Sequence, residues 1–105
     1  MKPNKHIIAT LHENYVASEL GGSVVGGSGC GTLKGDVSIE SFLIECKATN
    51  KLSRTVSTKE VRKIRLQARE VQKNWALAIR TGAGDQDERE DLVVVDLKTF
   101  RTLLT

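Results

Sequence analysis

Asp36, Glu45 and Lys47 are the residues whose types and spacing most directly suggest chemistry. Val37-Ser38-Ile39 and Phe42-Leu43-Ile44 read as two strands, and Glu40-Ser41 between them suits a tight turn. With that turn, residues paired across the hairpin have numbers that sum to 81, which sets Asp36 opposite Glu45. Lys47 projects from the same face as Glu45. Carboxylates directly opposite each other repel, so the arrangement calls for a cation between them, and hard oxygen ligands suit magnesium or manganese. Such an ion can generate hydroxide and neutralise a phosphate, which is the outline of a phosphodiesterase site. The other face carries Val37, Ile39, Phe42, Ile44 and Cys46, an apolar set to be buried under a helix. One face is expected to be core and the other chemistry. A plainer reading makes Asp36 a turn residue and Glu45 and Lys47 a solvated strand face.

The flanking elements must position this hairpin. Residues 6 to 20 read as a helix with Ile7, Ile8, Leu11, Tyr15 and Leu20 as its apolar stripe, ended by Gly21-Gly22. Val24-Val25 is a short β-prone pair, and a glycine-rich loop follows that lacks the Gly-Lys-Ser/Thr ending of a phosphate-binding P-loop. Ser57-Thr58-Lys59-Glu60 is a capping box opening a second helix, expected to run to about Lys73. On it Val61, Ile64, Ala68, Val71 and Trp75 fall within an arc of roughly 80°, and Lys59, Arg62, Arg65, Arg69 and Lys73 within roughly 120° elsewhere. Ala76 to Ile79 and Leu92 to Val95 read as strands, and Asp96 as the cap of a last helix bearing Leu97, Phe100, Leu103 and Leu104.

At 105 residues the chain makes one domain, 1 to 105, in which binding and chemistry share a surface. Only 4% of its residues are aromatic, so base stacking is a poor main binding mode and charge must do more. The net charge of +3 conceals a basic stretch from 51 to 80 and an acidic one from 85 to 91. No apolar run approaches the roughly 18 residues of a membrane span and no secretory signal opens the chain, so a cytoplasmic protein is expected. Cys30 and Cys46 have no metal-ligand spacing and read as free thiols.

The order of helix, Gly35-Asp36-Val37, Ile44-Glu45-Cys46-Lys47-Ala48-Thr49 and capped helix resembles the PD-(D/E)xK nuclease superfamily, and within it the archaeal-type Holliday junction resolvases. The resemblance covers about residues 13 to 96, with Gly35 where the superfamily's name has proline. It implies an α/β, restriction-endonuclease-like fold, a mixed central sheet flanked by helices in the order αβββαββα. It implies Asp36, Glu45 and the Cys46 backbone carbonyl as ligands of Mg2+ or Mn2+, Glu13 completing the acidic set, and Lys47 orienting or activating water. Glu19 is the alternative to Glu13. A catalytic serine in the mobile loop of some members would correspond to Ser28, with Ser23 or Thr32 as other registers. The implied function is a homodimeric endonuclease that makes paired nicks in a four-way DNA junction. The alternatives are another nuclease of the superfamily or a nucleic-acid-binding module without catalysis.

Beside such a site the basic arc of Lys59, Arg62, Arg65, Arg69 and Lys73, with Lys34, is expected to track DNA phosphates, although a solvated helix face is the plainer reading. Leu66 within that arc marks a dimer contact or a tolerated exposed leucine. Gln67 and Gln72 are weak candidates for facing the site. His6 and His12 have no companion at ligand spacing and read as ordinary surface or helix residues.

Overall fold

Among residues 4–25 and 36–105, which the computed structural model describes, the elements follow the expected order. They are α1 (Lys5–Leu20), β1 (Ser23–Val24), β2 (Val37–Ser38), β3 (Phe42–Ala48), α2 (Thr58–Glu70), β4 (Asn74–Thr81), β5 (Glu90–Val94) and α3 (Leu97–Leu103). The strands form one mixed sheet in the order β1-β2-β3-β4-β5. Only β3 and β4 pair in parallel; the other neighbours are antiparallel. A parallel pair needs a crossover, and α2 supplies it. Among the described residues no helix is long and apolar enough to cross a membrane.

The hairpin turns where the alternation of its residues places the turn. Val37 pairs with Ile44 and Ser38 with Leu43, and the Ile39 N–H donates to the Phe42 carbonyl at 3.0 Å. Both faces of the sheet are covered. Val16 and Ala17 of α1 pack with Val37, Ile44 and Cys46, whereas Ile64 and Ala68 of α2 pack with Leu43, Trp75, Leu77 and Ile79. The expectation of a core face and a chemical face is corrected here, because Leu43 on the second face is completely buried. Its far end, at Glu45 and Lys47, reaches solvent. Trp75 joins the α2 core from β4 rather than from the helix.

Two helix readings are also corrected. The buried stripe of α1 is Ile8, His12, Val16 and Ala17, while Ile7, Leu11, Tyr15 and Leu20 remain exposed. The helix ends at Gly21, in the left-handed region at φ 68°, where glycine has no Cβ penalty. A Cβ on Gly22 would collide with Ile39 Cγ2 and lie 2.7 Å from the Ser38 carbonyl oxygen, so glycine lets the corner approach β2. The second helix stops at Glu70, short of Lys73, and Gln72 takes φ 58° in the turn to β4. Its start is as expected: Ser57 Oγ accepts the Glu60 N–H and Glu60 Oε1 accepts the Ser57 N–H, both at 3.2 Å.

Burial on the α2 side is tested by truncation. Leu43→Ala and Ile64→Ala should each lower the unfolding free energy in urea by about 2–5 kcal/mol, the cost of a cavity in a packed core. Leu66→Ala, at a position 58% exposed, should stay within about 0.5 kcal/mol of the wild type. Equal small losses at all three would mean that α2 does not seal this face.

Candidate functional site

Asp36 lies just before β2, and its backbone is stitched to strands on both sides. The Val25 N–H donates to its carbonyl and its own N–H donates to the Ile44 carbonyl, each at 2.9 Å. Ile44 is already the partner of Val37, so two residues oppose one, the pattern of a β-bulge. The expectation that Asp36 lies squarely opposite Glu45 is thereby corrected. The offset re-aims the carboxylate, and Asp36 Oδ2 accepts the Cys46 N–H at 2.7 Å. A side chain there takes the place of a strand carbonyl.

Glu13 of α1 and Glu45 of β3 share the neighbourhood of Asp36. Burial first, then Asp36 and Glu45, raises the Glu13 carboxyl above its ordinary range. Burial, then Asp36, Glu13 and Glu45, pushes the Cys46 thiol up, so it stays protonated and is no nucleophile. Glu19 is exposed on α1. Lys47 Nζ lies 3.2 Å from Glu45 Oε2, and its charge also helps to lower the Glu60 carboxyl, after hydrogen bonds from Arg54 and Ser57. Three elements thus bring Glu13, Asp36, Glu45 and Lys47 to one end of the sheet. Among the described residues no three His, Cys, Asp or Glu side chains converge closely enough to hold an ion as they stand. The donor set nevertheless suits a hard divalent cation: all its ligating atoms are oxygens, and the repulsion felt at Glu13 is what such a cation relieves. Ser28 and Lys34, like Cys30 and Gly35, lie outside the described residues.

On α2 the residues Lys59, Arg62, Arg65 and Arg69 are exposed, and the Arg65 guanidinium lies 5.9 Å from the centre of the Trp75 ring. Lys73 is separate from them. It lies beyond the helix, and its ammonium donates to Ser38 Oγ and the Ile39 carbonyl, both at 2.6 Å, clamping β4's approach to the hairpin turn. The Gln67 carbonyl oxygen is buried without a hydrogen-bond partner, and Gln72 is exposed past the helix end.

A second polar group was not foreseen. His12 is buried, not on the surface, and neither ring nitrogen has a hydrogen-bond partner. Its Nε2 lies 3.7 Å from Asp91 Oδ1. Asp91 takes two hydrogen bonds from buried Arg80, Nε to Oδ1 at 2.8 Å and Nη2 to Oδ2 at 3.1 Å. The Arg80 guanidinium also lies 4.6 Å from the centre of the Tyr15 ring. The available signal was the spacing of Ile8, His12 and Val16, four residues apart along one helix face.

Comparison with protein-family models, characterised proteins and solved structures finds no significant match.

Burial, then the charge of Arg80, lowers the His12 pKa from 6.5 to about 4, against the opposing pull of Asp91. Between these values the unfolded chain binds a proton that the folded one refuses, so stability is full above pH 6.5 and falls as pH drops towards 4. Relative to His12→Leu, the wild type should lose an additional 2–3 kcal/mol, roughly, between pH 7 and 4.5 in urea unfolding. Parallel stability profiles would mean that His12 takes its proton in the fold.

Proposed function

We propose that this chain is a divalent-metal-dependent, structure-selective DNA endonuclease of the restriction-endonuclease-like fold, a cytoplasmic homodimer that resolves four-way junctions. The observation that carries the reading is the meeting of Glu13, Asp36, Glu45 and Lys47 from α1, the edge of β2 and β3. Asp36, Glu45 and the Cys46 carbonyl would hold Mg2+ or Mn2+, with Glu13 beside them. Bound there, the ion supplies Lewis acidity and an activated water at neutral pH. Lys47, held by Glu45, is placed to orient water and to stabilise negative charge growing on the phosphate. Burial first, then Asp36 and Glu45, holds the Glu13 carboxyl above its ordinary range, and a cation seated beside it would pull it back down.

The exposed Lys59, Arg62, Arg65 and Arg69 supply the phosphate track on α2. Lys47 acts on Glu60 in the first turn of that helix, so the track begins beside the carboxylates. A net charge of +3 is small for strong indiscriminate binding. Affinity should therefore depend on a DNA shape that sets phosphates against two basic faces at once. A two-fold dimer matches the symmetry of a four-way junction and its need for two nicks. One observation favours a non-catalytic nucleic-acid-binding module instead: the carboxylates are not drawn together into a ligating group.

A cleavage panel of four-way junction, flap, nicked and linear duplex DNA, with and without magnesium, separates these readings. Wild-type protein should nick the junction in pairs only with magnesium. Asp36→Asn and Glu45→Gln should each abolish cleavage, with more than a 100-fold loss expected for a missing metal ligand, while the fold is kept. Wild-type rates in either variant would sink the two-carboxylate site. Equal cutting of junction and linear duplex would leave a nuclease that is no resolvase.

Replacing Arg62, Arg65 and Arg69 together with alanine should weaken DNA binding and lower the slope of log affinity against log salt by about 2–3, since fewer counterions are released. An unchanged slope would make the basic face a solvated one.

A further inference from the structure

The last helix is folded but has no bed. Asp96 caps it by accepting the Thr99 N–H at 2.8 Å, yet none of its residues is buried. Leu97 is 82%, Phe100 51% and Leu104 70% exposed. Beside it lies a bed without a helix. The packing of α1 on the sheet is over β1, β2 and β3, and an apolar groove of about 190 Å³ remains towards β4 and β5. Leu20, Phe42, Ala78, Val93 and Leu103 are among its walls, and its lining is wholly apolar. The alanines of β4 on this face, Ala76 and Ala78, give the groove its depth.

We propose that this surface is the interface between two copies of the chain, with α3 of each copy seated in the groove of the other about a two-fold axis. A helix lacking a bed and a bed lacking a helix on one chain are the two halves of an isologous contact, in which each half is satisfied twice. A foreign partner would fill one and leave the other open. The exposed leucines, Phe100 and Val93 present on the order of several hundred square ångströms of apolar surface. That is at the upper end of what single copies ordinarily show. With the groove walls added, it approaches the roughly 800 Å² per partner of a stable complex. Lys98 and Arg101 flank the apolar residues of α3 and supply a polar rim. By contrast, Leu66 is a single apolar residue among the cations of α2. The groove holds Leu20 and Phe42, residues at the end of α1 and the start of β3. It therefore lies away from Glu13 and Glu45, and pairing leaves both carboxylate clusters open.

The inference rests on the preceding reading only in taking the protein as a dimer, and its test does not involve cleavage. Sedimentation equilibrium of the full chain at tens of micromolar should give a dimer. Phe100→Lys and Val93→Asp should each weaken dimerisation at least 100-fold with an unchanged circular dichroism spectrum, because both positions are exposed. Leu104→Lys replaces Phe100→Lys if the latter alters the spectrum. Mixing the two variants should restore a dimer, since one hetero-contact sets lysine against aspartate and the other is wild type. A wild-type monomer would overturn both this inference and the dimer of the nuclease reading, without touching cleavage itself. A wild-type dimer that both variants leave intact would overturn this surface alone.

Discussion

The parallel pairing of β3 with β4 is the constraint from which the rest of the fold follows. Two parallel neighbours cannot be joined by a turn, so the chain must cross over one face of the sheet, and α2 is that crossover. Its passage buries Leu43 and Ile64, while α1 covers the other face of β3, so the central strand is core on both sides. The only place left for polar side chains on such a strand is beyond the helices. That is where Glu45 and Lys47 stand, at the carboxyl end, which is the usual location of binding sites in open sheets of this kind. Backbone bonds extend the clasp past the strands: the Thr49 N–H donates to the Arg80 carbonyl at 2.9 Å and the Gly82 N–H to the Lys51 carbonyl at 2.8 Å. The polar end of the sheet is therefore held on its own scaffold.

What could be read from sequence was whatever depends on neighbours along the chain. The hairpin register follows from alternation and a two-residue turn, and Ser57 with Glu60 announces its helix because both partners lie within one turn. The bulge at Asp36 depends instead on which strand carbonyl its N–H meets, and no residue pattern nearby encodes that. The helix α2 ends early although Val71, Gln72 and Lys73 include no glycine or proline. Lys73 anchors to Ser38 and Ile39, 35 and 34 positions away, a tertiary pull that overrides local propensity. The stripe of α1 was misplaced because its central residue is a histidine. A hydropathy pattern passes over His12, whereas the fold accepts it by keeping the ring neutral beside Arg80 and Asp91. The carboxylates of Glu13, Asp36 and Glu45 could be nominated by type. Their grouping depends on how α1 lies across β3, which is a packing outcome.

Charge is distributed unevenly among these features, and the contrast separates structural ionic groups from candidate functional ones. Arg80 is matched by Asp91, Arg54 by Glu60, and Lys73 by a hydroxyl and a carbonyl. Each of these cations is satisfied where it lies and ties two segments together. Among the described residues, Glu13, Asp36 and Glu45 have only Lys47 within ion-pair distance, on Glu45. Three half-buried carboxylates around one buried thiol are an arrangement that packing alone would not choose, since burial and then these neighbours raise the cost of charging Glu13 and Cys46. Violations of this kind are tolerated where a bound group offsets them.

Under the nuclease reading the same imbalance determines the order of events at the surface. A carboxylate cluster without a cation repels phosphate, whereas the exposed arginines of α2 attract it. DNA would thus be drawn to α2 first and held short of the carboxylates. Only a cation already seated among them reverses the local sign and lets a phosphate approach Lys47. The bulge matters to this because it commits Asp36 Oδ2 to the Cys46 N–H and so fixes the direction in which the carboxylate would face an ion. Rigidity of that first ligand, rather than the number of acids nearby, is what would let so small a domain place a metal with β3 as its second support and α1 beside them.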